Sequence, residues 1–272
     1  MAQQDKNAYI LGTDQEELHR LGLQHQVWAS EARKGWSIAE FNAGQTLLDL
    51  GCGPGFCTTE MAYIAGQAGK VIGVDKSVAY IDYLGKLGQH YNLNLELINT
   101  DFDQMVLDEE SIDGAYCRWA LAWIPNPGEI IAKVSEALKP GGAFVVQEYY
   151  DWSTFQVEPN LAALTKGIKS ALKSFKKSEG EIDIGRELPR LFYDNGLEVI
   201  SIRPMAKLAV VGDMTWQWPK SFLEIYLPKV AEMGYLTKEE LLAALDDLEE
   251  IEFMDGATCL CPTMVEVVGI KL

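Results

Sequence analysis

The chain has 272 residues, 48% hydrophobic and 23% charged, a balance that supports a large globular core and excludes a disordered or fibrous protein. Its 23 Lys and Arg face 40 Asp and Glu, a formal charge of -17, so its far field repels phosphate backbones and anionic lipid and excludes nucleic acid and membrane partners. The cysteines at 52, 57, 117, 259 and 261 have no secretory leader before them and no second pair at zinc-ligand spacing, which predicts a reducing, cytoplasmic setting and no metal.

In chain order, residues 1–45 read as an N-terminal helical lid, with Leu18, Leu21, His25, Trp28 and Ala32 at spacings of three and four. An alternating core follows over 46–150. "QTLLDLG" (45–51) reads as a strand, "FCTTEMAYIAGQAG" (56–69) as a helix, "KVIGVD" (70–75) as a strand, "AYIDYLGKLGQH" (79–90) as a helix and "LELINTD" (95–101) as a strand. "SIDGAYC" (111–117) is the next strand, "PGEIIAKVSEALK" (127–139) a helix with proline at its start, and "AFVVQEYY" (143–150) a strand beyond a Pro-Gly-Gly turn. Residues 151–190 read as an inserted helix pair whose basic run, "KGIKSALKSFKK" (166–177), is a solvated face. "ELPRLFYDNGLEVISIRP" (187–204) returns to a helix, an Asn-Gly stop and a strand. A second helical insertion spans 212–262, with Thr237 and Glu240 forming a capping box, and strands within 191–211 and 263–272 close the fold. The expected architecture is a single α/β domain, a doubly wound, mostly parallel sheet of seven strands in the Rossmann-like manner, under a helical lid.

In such a sheet, ligands lie beyond the carboxyl ends of the strands. The first strand there runs into "GCGPGF", with Gly51, Gly53 and Gly55 allowing a sharp turn and close backbone approach to a ligand. The dinucleotide fingerprint requires a glycine at 56, where this chain has Phe, and no Gly-Lys-Ser/Thr follows to make a P-loop. Asp49, Asp75 and Asp101 converge on the same crevice. Three carboxylates repel a pyrophosphate and suit a cationic nucleoside, with Asp75 on the ribose hydroxyls and Asp101 at the adenine amine.

"LLDLGCGPG", "VIGVD", "NTDFDQM" and "EALKPGGAFVVQE", in this order and spacing between about 46 and 150, resemble the motifs of class I S-adenosylmethionine-dependent methyltransferases. The resemblance implies S-adenosylmethionine as cofactor, with Asp49 and the backbone of Gly51, Gly53 and Gly55 at its methionine end. It implies further that Lys76 flanks the adenine, that Asp101 and the Phe102 amide read the adenine edge, and that Arg118 lies by the methionyl tail, with Tyr9 added from the N-terminal segment. Two departures stand out: Lys at 76, where an apolar residue is common, and Ala122 and Trp123, where many relatives carry a histidine.

Around the crevice mouth, Trp119, Trp123, Tyr149 and Trp152 form an expected substrate wall, with Tyr150, Trp216 and Trp218 nearby, although Trp119 and Trp123 would serve equally as core. No secure base is visible; His25, Glu148 and Tyr149 are the candidates. The expected activity is methyl transfer to an O, N or C atom of a small aromatic or lipophilic metabolite. Two alternatives stand beside it: a cofactor-binding sensor or partner subunit that transfers nothing, and a protein or RNA methyltransferase. The acceptor and the oligomeric state are not legible in the sequence.

Overall fold

The computed structural model describes residues 15–175 and 180–272. The elements begin with α1 (Gln15–Ile38), β1 (Thr46–Leu50), α2 (Phe56–Ala65), β2 (Lys70–Asp75), α3 (Val78–His90) and β3 (Leu95–Asn99). Next come β4 (Ile112–Arg118), α4 (Pro127–Ala137), β5 (Leu138–Asp151), β6 (Gln156–Glu158), α5 (Ala162–Phe175) and α6 (Leu188–Asp194). The chain finishes with β7 (Leu197–Met205), β8 (Leu208–Val210), α7 (Met214–Glu232), α8 (Lys238–Glu250), β9 (Thr258–Leu260) and β10 (Thr263–Lys271).

The seven-stranded sheet runs β3-β2-β1-β4-β5-β10-β7, with β10 antiparallel to both its neighbours and the other pairs parallel. From β1 the chain winds outward to β2 and β3, then crosses back to β4 and β5 on the other side. The carboxyl ends of β1 and β4 therefore flank the point where the winding reverses, and a crevice opens there. In β1, Leu47 packs on the side of α1 and α2, while Leu48 and Leu50 pack on the side of α4 and α6. A strand covered on both faces needs an apolar run rather than alternation, and "TLLDL" supplies it with one buried polar residue, Asp49.

Helix α1 is tied to the sheet through polar contacts. Buried Gln147 donates to the Glu31 carbonyl (3.0 Å) and to Glu266 (2.5 Å), and Arg203 bridges Glu266 (3.0 Å) and the Glu31 carboxylate. These contacts hold the helix across the mouth of the sheet, where Arg20, Leu21, Gln24 and His25 reach the crevice.

Several expectations need correction. Helix α4 stops at Ala137 and β5 starts at Leu138, because Pro140 drives the residue before it to extended backbone; the Pro-Gly-Gly segment becomes an irregularity in the strand rather than a turn ahead of it. The stretch 151–190 is not a helix pair: among its described residues it holds β6, α5 and the start of α6. Phe155 and Val157 are buried while Gln156 and Glu158 are exposed, and that period of two makes a strand. It joins β9 and β8 in a second sheet of order β6-β9-β8, so the insertions are not purely helical. Lys166, Lys169 and Lys173 lie exposed on α5 as the solvated face expected of them, and the capping box of Thr237 and Glu240 opens α8. Among the described residues no helix is long and apolar enough to cross a membrane.

Candidate active site

The glycine loop is shaped by three left-handed residues, Gly51 (φ 76°), Gly53 (φ 53°) and Gly55 (φ 88°). The N–H groups of Gly51 and Cys52 donate to the Val74 carbonyl at 2.9 and 3.0 Å, which pins the loop to β2. A methyl group on Gly51 would lie 2.6 Å from the Ala120 side chain, and on Gly55 2.2 Å from Leu84, whereas on Gly53 it would meet nothing within 4 Å. Gly51 and Gly53 line the cavity beyond the loop, together with Cys52, Pro54 and Phe56. Gly55, expected at the cofactor's methionine end, does not line it; its lack of a side chain serves packing against Leu84 of α3.

Asp75, at the end of β2, accepts the Gly53 N–H on Oδ2 (2.9 Å) and the Ser77 N–H on Oδ1 (2.8 Å). Burial pushes its carboxyl up, against those two N–H groups. Asp49 accepts the Thr58 hydroxyl at 2.6 Å, and burial pushes its carboxyl up to about 6, opposed by Thr58 and by the Arg118 guanidinium. Lys76, Asp101 and Phe102 complete this end of the cavity, Lys76 and Asp101 exposed and Phe102 half-buried. Tyr9 lies outside the described residues.

Arg118, the last residue of β4, donates through Nη2 to Cys57 Sγ (3.2 Å) and approaches His25 Nδ1 at 3.5 Å, while Nη1 has no hydrogen-bond partner among the described residues. His25 lies flat over Phe56, with ring centroids 5.8 Å apart, and its Nε2 lies 2.9 Å from Glu60. Burial and Arg118 push the imidazole below its ordinary value, so it is neutral at physiological pH. A carboxylate on Nε2 puts the proton there and leaves Nδ1 to accept from Arg118. Both ring nitrogens are engaged at the polar end, so His25 is not free as a base.

Past Arg118 the same cavity, about 670 Å³ in volume, becomes aromatic. Trp119, with a left-handed φ of 55°, stacks on Tyr149 (6.0 Å) and Trp218 (5.8 Å) and lies under the Arg118 guanidinium at 4.8 Å. Trp123 and Trp152 also line the cavity, both edge-on to Phe175. All four expected wall residues are thus brought together. Tyr150 and Trp216 are not: Tyr150 is solvent-exposed beside Arg186, and Trp216 is buried elsewhere, donating to Glu252. Sequence reading missed Phe175, Phe222 and Tyr226; Trp218, Phe222 and Tyr226 follow one another at intervals of four on α7, a stripe that was available as a signal.

Glu148, a base candidate in the sequence, does not line the cavity. It is fully buried, its Oε1 accepts the N–H groups of Ala120 and Leu121 at 2.8 Å each, and its Oε2 has no partner among the described residues. Burial pushes this carboxyl up to about 8 from an ordinary 4.5. Between those values the folded protein holds more protons than the unfolded chain, so stability falls as the pH rises. Glu148→Gln removes that dependence. Thermal melts should show the variant equal to wild type near pH 5 and more stable above pH 8, by up to several kcal/mol at ~1.4 kcal/mol per pKa unit; equal pH slopes in the two proteins would contradict the assignment. Tyr149, the remaining base candidate, lines the cavity, but burial pushes its phenol up and keeps it protonated.

Comparison with known proteins follows the same lines. The methyltransferase domain family matches residues 41–196, more than half of the chain. The demethylmenaquinone methyltransferase of Oceanobacillus iheyensis is 25% identical over 193 residues, 66% of this chain and 79% of that one. The ubiquinone biosynthesis O-methyltransferase of Hydrogenovibrio crunogenus is 27% identical over 228 residues, 76% of this chain and 91% of that one. An uncharacterized Streptomyces fradiae protein is 28% identical over 61% of this chain, which spans about half (47%) of its length. Among solved structures, geranyl diphosphate C-methyltransferase from Streptomyces coelicolor, complexed with S-adenosyl-L-homocysteine, superposes with a TM-score of 0.58 at 16% identity, over 97% of this chain and 84% of that one, a likeness of fold. The chain belongs to the methyltransferase domain family and is by class an S-adenosylmethionine-dependent methyltransferase.

Proposed function

We propose that the chain transfers a methyl group from S-adenosylmethionine to a small aromatic or lipophilic acceptor. The observation that carries this reading is one cavity with two unlike ends, an acidic end at the glycine loop and an aromatic end under α1, α5 and α7. The acidic end fits the donor: the open space at Gly53 admits a ligand against the backbone, the carboxylates suit its cationic groups, and the unpartnered Nη1 of Arg118 suits its carboxylate.

When bound, S-adenosylmethionine supplies an electrophilic methyl carbon on a sulfonium sulfur. Asp75 keeps lone pairs beyond those used by Gly53 and Ser77 and accepts the ribose hydroxyls. Asp101 and the Phe102 amide hold the adenine edge, with the Lys76 stem beside it. Asp49, Gly51 and Gly53 seat the methionine end, and Arg118, fixed by Cys57 and His25, faces its carboxylate. Trp119, Trp123, Tyr149 and Trp152 hold the acceptor in line, and most of the acceleration then comes from positioning in a dry pocket. His25, Glu148 and Tyr149 are each committed elsewhere or protonated, so the acceptor atom is one that needs no proton removed by them before the transfer: an ionised phenol or enol, or a neutral amine or electron-rich carbon whose proton passes to water after the methyl group has arrived.

The quinone-pathway methyltransferases among the relatives support an acceptor of this kind. A cytoplasmic setting without nucleic acid partners belongs to the same reading, supported by the five free thiols and the charge of -17. That none of the three base candidates is free also favours a second reading, a binding protein that transfers nothing. Incubation with methyl-labelled S-adenosylmethionine and a panel of a naphthoquinol, a sterol and a prenyl diphosphate separates the two. Transfer of label to one of the panel is expected; label bound stoichiometrically and passed to none would favour the sensor.

A further inference from the structure

Glu148 is a fully buried acid near the cavity that the proposed reaction does not use. Its side chain faces the α4 and α6 side of β5 with Phe144 and Val146, among Leu121, Leu188 and Val265, an environment that disfavours a carboxyl group. Packing alone would be better served there by an apolar residue. What the carboxyl gives in return is a single oxygen, Oε1, on which two consecutive backbone N–H groups end, those of Ala120 and Leu121. These open the short helical turn Leu121–Trp123, and Trp119 precedes them in a left-handed conformation that a bulky side chain rarely adopts unless its surroundings impose it.

The consequence lies with Trp119. Its indole stands where the acidic end of the cavity gives way to the aromatic end: Arg118 on one face, Tyr149 and Trp218 stacked on it, and Trp28 meeting it edge-on. We propose that Glu148 is a positioning residue: its carboxyl oxygen holds the 119–121 turn so that the Trp119 ring forms the wall between donor and acceptor and sets how the acceptor lies. The proposal rests on reading the aromatic end as the acceptor's seat. It is separable from methyl transfer itself, because the ring can be followed by binding and spectroscopy alone.

The test uses the full chain, S-adenosylhomocysteine as probe for the acidic end, and the neutral fluorophore N-phenyl-1-naphthylamine as probe for the aromatic end. In Glu148→Ala the naphthylamine Kd rises about tenfold while the S-adenosylhomocysteine Kd stays within about twofold. The near-ultraviolet circular dichroism of the stacked tryptophans falls with it. Glu148→Gln keeps an oxygen that accepts both N–H groups and retains the wild-type values, whereas Trp119→Ala reproduces the naphthylamine loss. Should Glu148→Ala fail to melt cooperatively, Glu148→Asp takes its place with the same expected loss, because the shorter side chain withdraws the oxygen. Unchanged naphthylamine binding and dichroism in the Ala or Asp variant would overturn the proposal, as would equal weakening of both probes or a Gln variant as impaired as the Ala one. Absence of methyl transfer to any acceptor would count against the enzymatic reading and leave these binding results standing.

Discussion

Asp75→Ala is expected to weaken S-adenosylhomocysteine binding by about 1 to 3 kcal/mol, roughly five- to 150-fold, as a charged hydrogen-bond acceptor is lost. The structure puts the effect toward the upper end of that range. The Asp75 carboxyl both faces the cavity and holds the N–H groups of Gly53 and Ser77, so its removal also loosens the glycine loop. Asp75→Asn refines the result. One amide oxygen can still accept one of the two N–H groups, but the amide NH2 opposes the other, so an intermediate loss is expected. Titration calorimetry measures both, and an unchanged Kd in the alanine variant would remove Asp75 from the donor site.

The second large effect separates two glycines that look alike in the sequence. Gly55→Ala must hold a side chain at φ 88° and push it against the fully buried side chain of Leu84 on α3, 2.2 Å away. Left-handed strain of ~1 to 2 kcal/mol and overpacking of ~1 to 3 kcal/mol together give a loss of about 2 to 5 kcal/mol in stability. Gly53→Ala carries the strain without the clash, about 1 to 2 kcal/mol, but puts its methyl group into the open space proposed for the donor. The expected pattern is a large fall in melting temperature for Gly55→Ala, and a small fall with a severe loss of S-adenosylhomocysteine affinity for Gly53→Ala. Equal behaviour of the two variants would show that the loop does not present Gly53 to the ligand.

The sequence showed most where one residue type has one physical use. Strands buried on both faces read as apolar runs, so β1, β2 and β4 could be placed closely, and the winding that follows put the crevice at the end of β1. The converging carboxylates were likewise legible, because a strand end fixes where a side chain can reach. Three alternating glycines look equivalent in the sequence until α3 is seen behind Gly55. Alternation along β5 does not tell which face meets the cavity: Tyr149 does and Glu148 does not. The second sheet was missed because β6, β8 and β9 are three residues each and far apart in the chain, so only tertiary pairing reveals them. The aromatic end was half visible. Trp119 and Trp152 follow core strands and Tyr149 lies near the end of one, but Phe175, Phe222 and Tyr226 come from helices whose docking the sequence does not encode locally.

The most direct measurement is mass spectrometry of solvent-extracted metabolites, protein and RNA after incubation of the chain with trideuteromethyl S-adenosylmethionine. The account predicts a trideuteromethyl group on a lipophilic or aromatic molecule in the solvent fraction, and no transfer by a variant carrying Asp75→Ala and Gly53→Ala. Label in the protein or RNA fraction alone, or on nothing, would contradict it.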